Sequence, residues 1–79
     1  MAWRVVAHDD RQWHVSIAAE RRADSPHWTL ICWFRPDGVG QRSFWATYPL
    51  SSVSRAALFA QADQIPDDAL AAFLAEHLA

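Results

Sequence analysis

The sequence predicts an α+β fold, in which a four-stranded antiparallel β-meander is followed by two C-terminal α-helices packed on one face of the sheet. Two observations predict it. Residues 3–48 fall into short runs of β-branched and aromatic residues separated by turn-like segments, and after residue 50 the hydrophobic period changes from two to about 3.6. Two layers of this kind suffice for one core. We therefore expect a single domain, 1–79, with the β-meander at 2–48 and the helical segment at 51–79.

The first hairpin is predicted from strands at residues 3–8 and 12–19. A three-residue loop at 9–11 places Val5 opposite Val15 and gathers the apolar residues on one face, whereas a two-residue loop mixes apolar and polar residues on both faces. Because a slip of one residue inverts a strand, we expect the three-residue loop. The expected core face of this hairpin is Trp3, Val5, Ala7, Trp13, Val15 and Ile17, and Arg4, His8 and His14 are expected on the other face.

The second hairpin is predicted around a Pro36-Asp37-Gly38 loop, because proline fixes φ at the first turn position and glycine supplies the positive φ that closes the turn. This loop places Arg42 opposite Cys32. The better core face is Trp28, Leu30, Cys32, Phe34, Arg42, Phe44, Ala46 and Tyr48. The opposite face still carries large apolar side chains beside Arg35, namely Ile31, Trp33, Val39 and Trp45. That is more apolar material than a solvated sheet face normally presents.

Two helices are predicted in the last third of the chain. Three serines, Ser51, Ser52 and Ser54, are candidate N-caps for a helix that runs to about Ala62. A second helix is expected to start near Pro66, because proline is tolerated in the first turn and the carboxylates that follow it suit the positive end of the helix dipole. Its apolar stripe is Leu70, Phe73, Leu74, His77 and Leu78.

The residue types that carry catalysis do not form a recognisable constellation. Two glycines allow neither a phosphate-binding loop nor a nucleophile elbow. The single cysteine, Cys32, is expected to be a small buried hydrophobe. The weakest alternative is a hydrolytic or metal-dependent enzyme that uses His8, His14 and a turn aspartate. We therefore expect no enzyme activity, no metal and no cofactor.

Charge and composition narrow the class of protein. The formal net charge is -2 and all seven basic residues are Arg, which argues modestly against a nucleic-acid partner. No apolar stretch approaches the length of a signal peptide core or a membrane span. With one cysteine and no disulfide, a cytoplasmic location is expected. Fifteen Ala, no Lys and no Asn are typical of a GC-rich bacterial coding sequence.

The second apolar face of hairpin two has three explanations. The first is a protein interface, for a homodimer or another partner, because Trp and Arg are enriched at binding hot spots. The second is a surface on which the bases of single-stranded nucleic acid stack. The third is that a helix or the 20–26 loop covers the face. We expect a small interaction module that self-associates, with single-stranded nucleic-acid binding as the alternative. The expected interface residues are Ile31, Trp33, Arg35, Val39 and Trp45.

Overall fold

The computed structural model describes residues 2–38 and 40–79, and it has the element order that the sequence predicts. The elements are β1 (Arg4–His8), β2 (Arg11–Arg21), β3 (Trp28–Pro36), β4 (Phe44–Ser52), α1 (Arg55–Ala62) and α2 (Asp67–Leu78). The strands form one antiparallel sheet in the order β1-β2-β3-β4. Both helices pack on the same face of this sheet. The predicted fold class is therefore confirmed.

The core lies between that face and the two helices. Alternate residues of β2 and β3 point into it, and they meet apolar side chains from both helices and from the connection between them. The fully buried side chains are Trp13, Val15, Leu30, Cys32, Phe34, Leu58, Ala62, Leu70 and Leu74. Aromatic rings extend the core toward the end of α2, where Phe73 packs 4.8 Å from Tyr48 and 6.0 Å from Phe34 between ring centroids.

The register predicted for the first hairpin is wrong. The loop is two residues long, Asp9 and Asp10, and β1 pairs Val6 with Trp13 and Val5 with His14. Both aspartates have positive φ, 50° and 63°, which fits the tight turn that a twisted hairpin favours, and Asp tolerates this conformation better than most residues. The consequence is an inverted β1: Val6 is buried, whereas Val5 and Ala7 face solvent.

Arg4 is drawn to the core side by this register, although the sequence predicts it on the other face. Its guanidinium donates to the carbonyl oxygens of Ala62 and Asp63 at 3.1 and 3.0 Å, and also to the carbonyl of Ile65. These carbonyls belong to the end of α1 and the connection to α2, where helix geometry leaves acceptors unpaired. Arg4 therefore ties β1 to both helices.

Within β3 and β4, the second hairpin keeps the predicted faces but not the predicted pairing. Its loop spans residues 37–43, and Pro36 is the last residue of β3 rather than a loop residue. Cys32 therefore lies opposite Ala46, not Arg42. Arg42, which was predicted on the core face, is exposed in the loop. The shift of four residues brings two aromatic pairs directly opposite each other, Trp33 with Trp45 and Phe34 with Phe44, and such cross-strand pairs stabilise a sheet.

The boundary between sheet and helices lies later than predicted. β4 extends to Ser52, past the expected end of the meander at residue 48, with an irregularity in its pairing to β3 near Pro49. Of the three candidate N-caps, Ser54 caps α1 by accepting from the backbone N–H of Ala57 at 3.2 Å. In the described part of the chain, neither helix has the length and apolar character needed to cross a bilayer.

Candidate interaction surface

The face of the sheet opposite the helices, here called the open face, is arranged by strand pairing in four cross-strand rows. The rows are the Arg35 row (Val5, His14, Arg35), the Trp row (Ser16, Trp33, Trp45), the Ile31 row (Ala18, Ile31, Thr47) and the Glu20 row (Glu20, Thr29, Ser51). Side chains alternate between the two faces of a strand, so the neighbours of the buried residues along each strand point to the open face. The two middle rows are mainly apolar and the outer rows carry the charges.

Two tryptophans lie side by side on the open face, Trp33 on the inner strand β3 and Trp45 on the edge strand β4. The ring centroids of Trp33 and Trp45 are 4.6 Å apart with an interplanar angle of 45°. Trp45 nevertheless remains 58% exposed, which is an unusual exposure for so large an apolar side chain. Both helices pack against the other face, so the explanation that a helix covers this face is wrong.

A depression lies beside the exposed indole. It has a volume of about 450 Å³ and is lined by Ala18, Ala19, Glu20, Ile31, Trp45, Ala46 and Thr47. It exists because small side chains in the Ile31 row stand next to the bulky Trp row. A second cavity, of about 460 Å³, continues it toward the 22–27 loop and is more polar, with Arg22, Asp24 and His27 in its lining.

The arginines are distributed so that few of them reach the open face. Arg35 is exposed there, and Arg22 lines the far end. On the helix side, Arg21 and Arg55 lie 5.1 and 5.8 Å from the ring centroid of Trp28. A nucleic-acid platform needs several cations that follow a phosphate backbone. This distribution therefore favours a protein partner over nucleic acid on the open face.

The histidines proposed as metal ligands lie on opposite faces. His8 is on the helix side with its Nε2 atom 3.3 Å from Asp9, whereas His14 is on the open face with its Nε2 atom 3.0 Å from Asp37. The inverted β1 separates them, so the alternative site does not form. Within residues 2–38 and 40–79, no three His, Cys, Asp or Glu side chains come together as a metal-binding group.

The Cys32 side chain is buried in the core, as the sequence predicts. Burial raises the pKa of its thiol from 9.0 to about 11. The unfolded chain therefore loses this proton at lower pH than the folded chain. The resulting contribution to stability is complete below pH 9 and is lost as the pH rises from 9 to about 11.

We expect this thiol to react with Ellman's reagent at pH 8 only in the unfolded chain. Measured in increasing urea, the reaction rate should follow the unfolded fraction, and Cys32→Ser should show no reaction at all. Rapid labelling of the folded protein in the absence of urea would contradict the burial of Cys32.

The residues expected at the interface are brought together, apart from one that lies outside the described residues. Ile31, Trp33, Arg35 and Trp45 share the open face, and Val39 is the exception. Two further residues of this face were not predicted: Val5, which is 44% exposed and is separated from Arg35 by His14, and the small residue Ala18, which lines the depression. The alternation of β2 could have indicated Ala18, but Val5 depended on the register of the first hairpin.

Comparison with known proteins adds no function to this geometry: no family model matches the chain, and neither a curated protein nor a solved structure matches it.

Proposed function

We propose that this protein is a small interaction module that self-associates through the open face of its sheet. The observation that carries the proposal is the exposed Trp45, paired with Trp33 on a sheet face that the chain's own helices leave uncovered. Aromatic residues at the centre of a patch with charged residues at its rim are typical of protein interfaces.

The size of the open face allows a small dimer interface. Its long strands have nine to eleven residues. At a rise of about 3.3 Å per residue and a spacing of about 4.8 Å between four strands, the face measures roughly 15 by 30 Å, or about 450 Å², in projection. Side-chain relief increases the accessible area above this projection. A standard stable interface buries about 800 Å² on each partner, so a dimer formed through this face would use all of it and would lie at the small end of the range.

The charge of the open face also suits a second copy of the same chain. Arg35 and Glu20 lie in the two outer rows, and the middle rows carry no charged residue. A face with both signs and an apolar centre does not repel its own copy. A strongly basic or acidic face would instead require a partner of opposite charge.

We expect Trp45→Glu to weaken association strongly, because it removes the exposed indole and sets a carboxylate against the apolar rows of the second copy. The dissociation constant should rise by about a hundredfold, which corresponds to the loss of one hot spot. The measurement is the solution mass by light scattering on a size-exclusion column at several concentrations. Since Trp45 is largely exposed in one chain, urea unfolding of the variant monomer should still be cooperative.

Val53→Glu is the matched control, because Val53 is 68% exposed but lies in the bend between β4 and α1. This variant should associate as the original protein does. A monomeric original protein at millimolar concentration would overturn the proposal, and so would equal loss of association in both variants.

A further inference from the structure

We propose that the two copies of this chain pack face to face about a twofold axis that lies in the interface and runs perpendicular to the strands. This inference rests on the proposed self-association and specifies its geometry. Such an axis reverses the strand direction between the copies. It places the Arg35 row over the Glu20 row of the second copy, and the Trp row over its Ile31 row.

Charge is the first reason for this orientation. Arg35 and Glu20 stand at opposite ends of the open face, separated along the strands by three same-face steps of about 7 Å each. Under the proposed axis, each Arg35 lies over the row that contains Glu20 of the second copy. An axis parallel to the strands would instead set Arg35 against Arg35 and Glu20 against Glu20. Like charges facing each other at an interface are costly.

The next charges along the face follow the same pattern. Asp37 lies just beyond the Arg35 row, where it contacts His14, and Arg22 lies just beyond the Glu20 row in the lining of the polar cavity. Reversal of the strands therefore brings Asp37 toward Arg22 of the second copy. Asp24 lines the same cavity as Arg22, so this outer contact is weaker than that of Arg35 with Glu20.

Shape is the second and independent reason. Packed sheets stand about 10 Å apart and their side chains interdigitate, so bulky residues must meet small ones. The exposed indole of Trp45 stands beside the depression that Ala18, Ile31 and Thr47 line. The proposed axis places the Trp row of one copy over this depression in the other. The alternative axis reverses the order of the strands across the interface, so it would set Trp33 over Ser16 and the small Ala18 over the depression, which would stay unfilled.

A charge exchange tests this orientation. We expect Arg35→Glu and Glu20→Arg, each alone, to weaken association about tenfold, because each puts like charges opposite each other twice in a symmetric dimer. The double variant carries both changes, has the original net charge, and should recover the original dissociation constant. Glu20→Arg alone removes the net negative charge of -2, so its weaker association could not come from greater overall repulsion.

Sedimentation velocity at several concentrations gives the dissociation constants of the original protein and the three variants, and urea unfolding of each variant checks that the fold is retained. If the original protein dimerises and Trp45→Glu does not, but the single charge variants dimerise as well as the original, the proposed orientation is wrong while the self-association stands. If both single variants are weakened and the double variant is not restored, the orientation is also wrong. If the original protein is monomeric, the self-association itself fails.

Discussion

Replacing Arg4 by Met is expected to lower the free energy of unfolding by about 3 kcal/mol, although Arg4 is a charged residue in a short edge strand. Its side chain is only 17% exposed, and its guanidinium donates to three backbone carbonyls and to the Asp67 carboxylate, at 3.2 Å. Methionine keeps most of the apolar stem but removes the donor to the part-buried Ile65 carbonyl and the exposed Asp63 carbonyl, whereas the Ala62 carbonyl still accepts from the backbone N–H of Ile65. A buried acceptor left unpaired costs about 1–3 kcal/mol. In a domain of this size, such a loss approaches the whole stability.

Arg4→Lys distinguishes the contribution of the positive charge to stability from that of the hydrogen-bonding geometry of the guanidinium. The ammonium group keeps the positive charge near the end of α1, but it is a compact donor and cannot place two separate nitrogens against the carbonyls of Ala62 and Ile65. Its loss of stability should therefore lie between those of the original protein and Arg4→Met. The control is Arg42→Met, since Arg42 is exposed in the loop between β3 and β4.

Urea unfolding, followed by circular dichroism, measures all three variants. Carrying the changes in a Trp45→Glu background keeps association from contributing to the apparent stability. The Arg42 variant should stay within about 0.5 kcal/mol of its parent. Equal stabilities for Arg4→Met and Arg42→Met would mean that the guanidinium does not hold the helices to β1.

The sequence predicts the faces of β2, β3 and β4 because their alternation is strong. In β3, Leu30, Cys32 and Phe34 alternate with Thr29, Ile31 and Trp33, and only one of these sets makes a continuous core. The pairing of β3 with β4 is not predictable in the same way. A shift by an even number of residues leaves every side chain on its original face, so alternation cannot detect it.

The inverted β1 has a different cause. Its residues alternate weakly, because Val5 and Val6 are identical and point to opposite faces, so the local pattern does not decide the register. Two other features favour the observed register of β1. Asp9 and Asp10 tolerate positive φ, and Arg4 forms hydrogen bonds to residues about 60 positions away. These long-range bonds become visible only after the helices have been placed on the sheet.

The candidate site was predictable to the extent that it depends on alternation. Trp33 and Trp45 share the open face in any register that is shifted by an even number of residues, so their predicted placement on one face does not depend on the exact pairing. Their direct contact and the depression beside Trp45 depend on the true pairing and were not predictable. Val5 reached the open face only because β1 is inverted.

Exchanging Val6 for Asp should unfold the domain, whereas the same change at the neighbouring Val5 should have little effect. Val6 is 4% exposed and lies among the core residues, so its replacement buries a carboxylate without a partner, at a cost of about 4 kcal/mol. Val5 lies on the open face beside His14. Its carboxylate would remain in water, and the change in stability should be within about 1 kcal/mol.

Val5→Asp and Val6→Asp together test the register of the first hairpin, because a three-residue loop would bury Val5 and expose Val6. The larger loss of stability would then occur at Val5. Where Val6→Asp is too unstable for an unfolding curve, alanine replaces aspartate at both sites. Removing two buried methyl groups at Val6 should then cost about 1.5 kcal/mol, and the loss at Val5 should be smaller than half of this. Thermal and urea unfolding in the Trp45→Glu background measure both pairs. A larger loss at Val5 than at Val6 would restore the three-residue loop and move Arg4 away from the helices, so it would also contradict the expected effect of Arg4→Met.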